Sequence, residues 1–160
     1  MKLSPRNWKI KKIISGGQTG VDRAALDVAL ELGIPCGGWC PQGRRAEDGI
    51  IPLLYPLEEA SSSAYPLRTE LNVQDADGTL IITWSTPMGG TALTIKLAQK
   101  YRKPYLVVDL AQEANVALVR EWLDHNKIQV LNIAGPRESE VPGIYAHTTL
   151  FLKRLFSSSQ

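Results

Sequence analysis

The sequence predicts a single doubly wound α/β domain built on a five-stranded, mainly parallel sheet. Nearly continuous apolar runs alternate with amphipathic segments, which is typical of parallel strands covered by helices on both faces. Three apolar runs also end in a turn of small residues just before a predicted helix, within residues 13–20, 80–91 and 130–139. With 160 residues, 44% hydrophobic and 21% charged, the chain has the composition of one domain, 1–160, with a true core. We expect residues 1–8 and 157–160 to fray.

The first half of the chain contains two predicted strands around one helix. A first strand covers Lys9–Ser15, and apolar residues on one broad face predict a helix over Val21–Leu32. Gly33 ends that helix, and Ile34–Trp39 forms a second, short strand. Residues 41–72 form a proline-containing connection that is long for a compact domain, so we expect it to carry function or a local helix.

Regular alternation of strands and helices resumes after residue 77. Because the carboxyl ends of parallel strands share one edge, we expect all three small-residue turns at that edge, where such sheets bind ligands. The predicted elements are strand Gly78–Trp84, helix Thr91–Arg102, strand Tyr105–Asp109, helix Gln112–Asn126, strand Ile128–Ile133 and helix Gly143–Phe156.

Composition excludes several classes of protein. A formal net charge of only +2 is too small for a dedicated binder of duplex nucleic acid. No apolar stretch approaches the roughly 18 residues of a membrane span, and no signal peptide is visible, so we expect a cytoplasmic protein without a membrane partner.

Cysteine and histidine positions predict neither a metal site nor a nucleophilic triad. Cys36 and Cys40 would share one face of a strand but lie too far apart for an easy disulfide, so we expect free thiols. His125 and His147 are distant in sequence and follow no glycine turn, and we expect both to be surface or packing residues.

The first small-residue turn precedes Asp22, which lies in the first helical turn. Glycines let a ligand approach the backbone closely, and Thr19 could cap the helix. Asp22 either stabilises the helix dipole or contacts a ribose hydroxyl or an amine, since a carboxylate would repel a phosphate at the same place. The candidate ligand-binding residues here are Gly16, Gly17, Gln18, Thr19, Gly20 and Asp22.

The second turn has the composition of a phosphate cradle. Gly89, Gly90 and Thr91 would begin a helix with free backbone N–H groups, and Ser85 in the same loop is included among the candidates. The alternative is a tight βα turn with Thr91 as N-cap. It is not a Walker motif, because no lysine follows the glycines directly.

The third turn and the long connection supply candidate charges. Arg137, after Gly135, could pair with an anion bidentately, unless Glu138 neutralises it; Glu138 and Ser139 are also candidates. In the connection, Arg44 follows the second strand directly and Arg68 lies further on. The alternative is that both are solvated charges. Trp39 and Tyr65 would either stack on a base or pterin ring or pack in the core.

Four long motifs together resemble one known family. They are residues 16–27 (Gly-Gly-Gln-Thr-Gly-Val-Asp-Arg-Ala-Ala-Leu-Asp), 37–49, 65–73 and 134–139 (Ala-Gly-Pro-Arg-Glu-Ser). This combination is similar to the circularly permuted YpsA-like proteins of the SLOG superfamily, also described as molybdenum (cofactor) carrier proteins, from about Lys12 to Phe156. The resemblance implies a Rossmann-like fold that binds nucleotides or their derivatives. It also implies the strand order 2-1-5-3-4, which would place Gly135 beside Gly89 and Gly90, and it implies homodimers or higher homo-oligomers.

Related lonely-guy enzymes cleave the base from a nucleoside monophosphate with an arginine and the glutamate of a Gly-Gly-x-Gly-Thr-x-x-Glu motif. Arg68 matches the place of that arginine. The glycine motif departs from the pattern, because Thr94 takes the place of the glutamate and cannot act as a carboxylate. Glu70, Asp22 or Glu138 could substitute, and Arg68 and Glu70 are the candidate catalytic residues.

The leading hypothesis is therefore a binding protein for a phosphorylated nucleotide-like or pterin-like ligand, with the molybdenum cofactor as one candidate cargo. No resident cofactor or metal is expected. One alternative is an enzyme, a nucleoside-monophosphate N-glycosidase or phosphoribohydrolase. The other is a regulatory module that senses a nucleotide.

Overall fold

The computed structural model describes residues 10–157, which form a five-stranded parallel sheet with helices packed on both faces. In chain order the elements are β1 (Lys12–Ile14), α1 (Val21–Leu32), β2 (Cys36–Gly37), β3 (Trp39–Cys40), β4 (Arg45–Ala46), β5 (Gly49–Ile50), β6 (Glu58–Glu59), α2 (Tyr65–Asp75), β7 (Gly78–Thr83), α3 (Gly89–Lys100), β8 (Tyr105–Asp109), α4 (Val116–His125), β9 (Val130–Ala134) and α5 (Ile144–Phe156). Of the residues predicted to fray, 1–8 and 157–160, all but Ser157 lie outside the described residues.

The main sheet has the order β2-β1-β9-β7-β8, and every pairing in it is parallel. Counted along the five main strands, this is the predicted order 2-1-5-3-4. The last strand in the chain, β9, therefore lies between β1 and β7. The loops that follow these three strands leave the same edge of the sheet side by side.

Two separate apolar clusters show that both faces of the sheet are covered. The larger one joins the sheet to α1, α4 and α5, and includes Ile13, Leu123 and Phe151. The smaller one contains Val73 of α2 and Leu97 of α3. β7 is buried along its whole length, because it lies inside the sheet under both layers. No helix within residues 10–157 combines the length and apolar character needed to cross a membrane.

The predicted second strand, Ile34–Trp39, is wrong as a single element. The chain breaks at Gly38, whose φ is +125°, and a Cβ atom there would lie 2.4 Å from the carbonyl oxygen of Ser15. Cys36 thus belongs to the main sheet, whereas Cys40 belongs to β3, which pairs with β6. Both cysteines are free thiols, and they do not share a strand face.

Several predicted boundaries also shift for identifiable reasons. α4 begins at Val116 and not at Gln112, because the Asn115 side chain caps it by accepting a hydrogen bond from Leu118 N at 3.0 Å. α3 begins at Gly89, so Thr91 is inside the helix and is not its N-cap. The long connection contains three short strands, β4–β6, and most of helix α2. β4 pairs with β5, and β6 pairs with β3.

Candidate functional site

The three small-residue turns meet at one edge of the sheet. Val21 N donates a hydrogen bond to Pro136 O at 3.2 Å, which joins the first turn to the third. A second hydrogen bond joins the same two turns, from Glu138 N to Thr19 Oγ1 at 3.1 Å. On the other side, a Cβ atom on Gly89 would lie 3.6 Å from Glu140 Oε2, which places the second turn beside the third.

A cavity of about 300 Å³ lies where these turns face helix α2. Its walls come from α2, from the first turns of α1 and α3, and from the chain that follows β9. The structure brings eight of the predicted site residues to this cavity: the candidate catalytic residue Arg68 and the candidate ligand-binding residues Gln18, Asp22, Gly89, Gly90, Thr91, Gly135 and Arg137. Thr94 also lines it, but its hydroxyl donates to Gly90 O at 2.9 Å.

The N-terminus of α3 presents unpartnered backbone donors to this cavity. Within the described part of the chain, the N–H groups of Gly89 and Gly90 have no hydrogen-bond acceptor, and no side chain caps the twelve-residue helix. Thr91 N, by contrast, donates to Met88 O at 3.1 Å, so the expectation that its N–H is free is wrong. A Cβ atom on Gly90 would meet nothing within 4 Å, so the backbone here is open to a ligand.

Gly135 is required by packing where β9 ends. A Cβ atom there would lie 2.4 Å from the carbonyl oxygen of Ile82 and 2.6 Å from Val21 Cγ2. Neither contact can be relieved by moving a flexible side-chain end, so a larger residue would push the third turn away from the first.

Asp22 and Arg68 form a buried ion pair on the cavity wall. Arg68 Nη1 lies 3.4 Å from Asp22 Oδ2, and Asp22 is only 3% exposed. Burial raises the pKa of Asp22 to about 6, although Arg68 and a hydrogen bond from Gln18 N both favour the charged form. A Cβ atom on Gly16 would lie 2.0 Å from Arg68 Nη1, so this glycine leaves the space that the guanidinium occupies.

Tyr65 lies between the two arginines of the cavity. The guanidinium carbon of Arg68 is 5.4 Å from the centre of its ring, and that of Arg137 is 5.9 Å from it. These are cation–π contacts, which hold both charges at the same wall. Of the two aromatic residues predicted to stack on a ring or pack in the core, Tyr65 contacts the guanidinium groups at the cavity. Trp39 lies outside the cavity lining and donates its indole N–H to Asp75 at 2.8 Å.

The formal side-chain charge of the cavity wall is balanced. Arg68 and Arg137 are matched by Asp22 and Glu140 among its lining residues. Attraction for an anion therefore depends on the free N–H groups and dipole of α3 together with the position of each guanidinium.

Glu47 ties the first and third turns together from outside the cavity. It accepts hydrogen bonds from the hydroxyls of Thr19 and Ser139 and from Ser139 N at 3.1 Å, and it lies 3.7 Å from Arg137 Nε. Burial works to raise the pKa of Glu47, but these hydrogen bonds and the charge of Arg137 hold it below its ordinary value. Arg137 is thus paired with Glu47 and not with Glu138.

Glu138 hydrogen-bonds to the start of helix α5 and not to Arg137. Its carboxylate accepts hydrogen bonds from Gly143 N at 2.6 Å and Tyr145 N at 3.0 Å at the start of α5. It therefore caps a helix and does not line the cavity. Gly20 is also outside the cavity lining: its φ is +77°, and a Cβ atom there would lie 2.4 Å from Pro136 O.

The structure does not bring Arg44 to the cavity. Its buried guanidinium donates hydrogen bonds to four backbone carbonyl groups of the long connection, and these belong to Ile51, Pro52, Tyr55 and Leu57, at 2.7 to 3.1 Å. The prediction of a ligand-binding Arg44 is corrected accordingly, because all these donors are used to order the connection.

Six other predicted residues also lie outside the cavity lining: Gly16, Gly17, Thr19, Glu70, Ser85 and Ser139. Glu70 accepts from the Tyr101 hydroxyl and pairs with Lys100 at 3.5 Å. Ser85 has a φ of +69°, and its N–H donates to Asp109 Oδ1 at 2.8 Å. Gly17 faces the apolar cluster of the connection, where a Cβ atom would lie 2.6 Å from Leu57 Cδ1.

The family follows from the comparison of the whole sequence. Residues 13–156 match the model described as "Circularly permutated YpsA SLOG family". The chain belongs to this family. A crystal structure from Syntrophus aciditrophicus, of a protein named "putative molybdenum carrier protein", is 51% identical and has a TM-score of 0.89; the match covers 92% of this chain and 94% of that one. No functionally curated protein matches the chain. The family resemblance of the four motifs is thereby confirmed.

In this member of the family, sequence reasoning missed Glu140 as a cavity residue. It follows Arg137 by three positions, and its Oε1 atom accepts a hydrogen bond from Arg137 N at 3.1 Å. A carboxylate three residues after an arginine, in a loop that follows a strand, was the sequence signal that could have identified Glu140. Within residues 10–157, no group of three or more His, Cys, Asp or Glu side chains is arranged to hold a metal ion.

Proposed function

We propose that the protein binds a small phosphorylated ligand of nucleotide-like or pterin-like chemistry in the cavity between α2 and the start of α3. The observation that supports this most is the pair of unpartnered N–H groups at Gly89 and Gly90, in a cavity that also holds Arg68 and Arg137. A helix N-terminus with open backbone donors attracts phosphate, and guanidinium groups bind its oxygens through charge-assisted hydrogen bonds.

The molybdenum cofactor belongs to the same chemical class of ligand, because it is a phosphorylated pterin. The name of the 51% identical protein from Syntrophus aciditrophicus supports it as a cargo for this chain. We further propose that binding takes place in the cytoplasm, since both cysteines are free thiols, as is usual in reducing compartments. The expected homodimer or higher oligomer stays a prediction.

Isothermal titration calorimetry tests the proposal directly. The probes are inorganic phosphate, pyrophosphate, adenosine and guanosine monophosphates, and molybdopterin. At least one phosphorylated organic probe should bind, and Arg137→Gln should weaken it about tenfold to a hundredfold by removing a charge-assisted hydrogen bond. Arg154→Gln, at an exposed position on α5, is the matched control and should change nothing. Absence of heat with every probe would refute the proposal.

A second variant separates binding from folding. Gly90→Ala places a methyl group where nothing lies within 4 Å, in a helix that alanine favours over glycine. The variant should be at least as stable as the original protein. It should nevertheless bind the phosphorylated probe more weakly, because the methyl group occupies the open cradle.

Hydrolysis of a nucleoside monophosphate is the alternative function, and the environment of Asp22 favours it. It is a buried carboxylate on the cavity wall with a pKa of about 6, the type of group that enzymes use as a general acid or base. Release of free base, followed chromatographically at high protein concentration and lost in Arg68→Ala, would support this activity. If the unmodified protein releases no base, hydrolysis is excluded for the nucleotides tested.

A further inference from the structure

A second cavity, of about 600 Å³, opens beside the first. It lies between the loop that follows β7 and the loop that follows β9. Trp84 and Met88 line it, and these residues are 38% and 72% exposed. Large apolar side chains at the mouth of a cavity of this size are typical of small-molecule sites, where a ligand removes them from water.

The two cavities share a wall. Thr91 and Glu140 line both of them, so one molecule can extend from the first into the second. The first contains the guanidinium groups of Arg68 and Arg137 and the free N–H groups of α3, against the carboxylates of Asp22 and Glu140. The second has no cation among the described residues that line it, and its charged side chain is the carboxylate of Glu140. Charge therefore favours the anionic end of a ligand in the first cavity and an uncharged part in the second.

The walls of the second cavity suit a flat ring. Trp84 is held by His147, with ring centroids 4.8 Å apart and an angle of 37° between the rings. Three proline residues, Pro87, Pro136 and Pro142, add rigid apolar surface. A preformed wall of this kind stacks on an aromatic ring at little cost in side-chain entropy.

Glu140 supplies an acceptor at the edge of the same cavity. Its Oε1 atom is held by Arg137 N at 3.1 Å, whereas Oε2 accepts no hydrogen bond from any residue in the range 10–157. A carboxylate oxygen in this position accepts an N–H group from the edge of a ring and disfavours a second phosphate.

From these contacts we infer that the second cavity holds an uncharged heteroaromatic ring with N–H donors on its edge, as in a purine or a pterin. The ring stacks on Trp84 and Met88, its N–H edge lies toward Glu140, and its phosphorylated end occupies the first cavity. This inference rests on the proposed function and assigns the two ends of the ligand to two cavities.

The test compares two probes that share a sugar phosphate and differ by the ring, guanosine monophosphate and ribose 5-phosphate. Calorimetry on the full chain should show guanosine monophosphate binding at least about tenfold more tightly, the usual contribution of base stacking on an aromatic side chain. Trp84→Leu should weaken the nucleotide about tenfold and leave ribose 5-phosphate unchanged. Quenching of tryptophan fluorescence by the nucleotide should be reduced in the same variant.

Two further variants complete the experiment. Met88→Ala shortens an exposed side chain that lines the second cavity and adds no hydroxyl that could cap the free N–H groups of α3, so it should fold while weakening the nucleotide alone. Trp39→Phe, outside both cavities, should bind both probes normally. Equal affinity of the two probes, or unchanged nucleotide affinity in both Trp84→Leu and Met88→Ala, would overturn the ring site while the phosphate site stands. Failure of both probes to bind would overturn the ring site for a purine. If no probe of the first titration binds either, the proposed function is overturned with it.

Discussion

Asp22 makes the stability of the fold depend on pH in a direction opposite to that of most salt-bridged carboxylates. Its pKa is raised from the ordinary 3.8 to about 6, because burial outweighs the attraction of Arg68. Between these values the folded chain binds a proton that the unfolded chain has released, so the free energy of unfolding falls as pH rises. A rise of about two pKa units corresponds to about 3 kcal/mol at 1.36 kcal/mol per unit.

The substitution Asp22→Asn removes this penalty while keeping the size of the side chain. At about pH 4.5 the folded Asp22 is protonated, but the unfolded group is already largely ionised, so about 1 of the 3 kcal/mol is lost by then. Relative to the original protein, the variant should therefore gain about 2 kcal/mol in its free energy of unfolding between about pH 4.5 and 7.5. Other groups that titrate in both proteins cancel in this difference.

Urea unfolding followed by circular dichroism at the two pH values measures this change. Asp48→Asn is the matched control, since it removes an exposed carboxylate that pairs with Arg23 at 3.1 Å. Its effect should stay within about 1 kcal/mol at either pH, as for other surface ion pairs. A difference between Asp22→Asn and the original protein that is the same at both pH values, or that falls as pH rises, would refute the burial argument.

Two more predictions concern hydrogen-bonded polar groups away from the cavity. Arg44→Met should lower the free energy of unfolding in urea by at least about 3 kcal/mol, because four carbonyl groups lose a charged donor; a loss no larger than that of the exposed Arg45→Met would contradict this. Asp27→Asn should lower the pKa of Tyr145, now raised to about 12 by burial and by the hydrogen bond to Asp27. Spectrophotometric titration of the folded protein measures it, and an unchanged or higher tyrosine pKa would count against that account.

Elements whose ends are marked by residues close by in the sequence were predicted with their exact bounds. α1 is one, because its apolar face lies within twelve residues and Gly33 ends it in the left-handed conformation, with φ +73°. β8, Tyr105–Asp109, is another. The expected Ile34–Trp39 strand failed because its interruption depends on the backbone of Ser15 packing against Gly38, a contact between segments separated in the chain.

The candidate site shows the same division. The meeting of the glycine turns was predicted because parallel strands direct the loops after them to one edge, and that rule needs only the order of strands and helices. Arg68 was a candidate because it matches the place of the arginine in the lonely-guy enzymes. Arg44 looked equivalent to Arg68 in sequence, since each is an arginine in the long connection. Only the folded structure shows that backbone carbonyl groups of residues 51–57 surround Arg44. Arg68, by contrast, is held at the cavity by Asp22 and Tyr65.

The sequence by itself thus determined the alternation of the main strands and helices and the positions of the glycine turns, because apolar periodicity and glycine conformation are properties of neighbouring residues. The tertiary structure alone decided which charges face the cavity, how Asp22 and Glu140 balance the two arginines, and that Trp84 lines a second cavity beside the first. These features depend on distances between residues far apart in the chain, and burial and pairing follow from those distances.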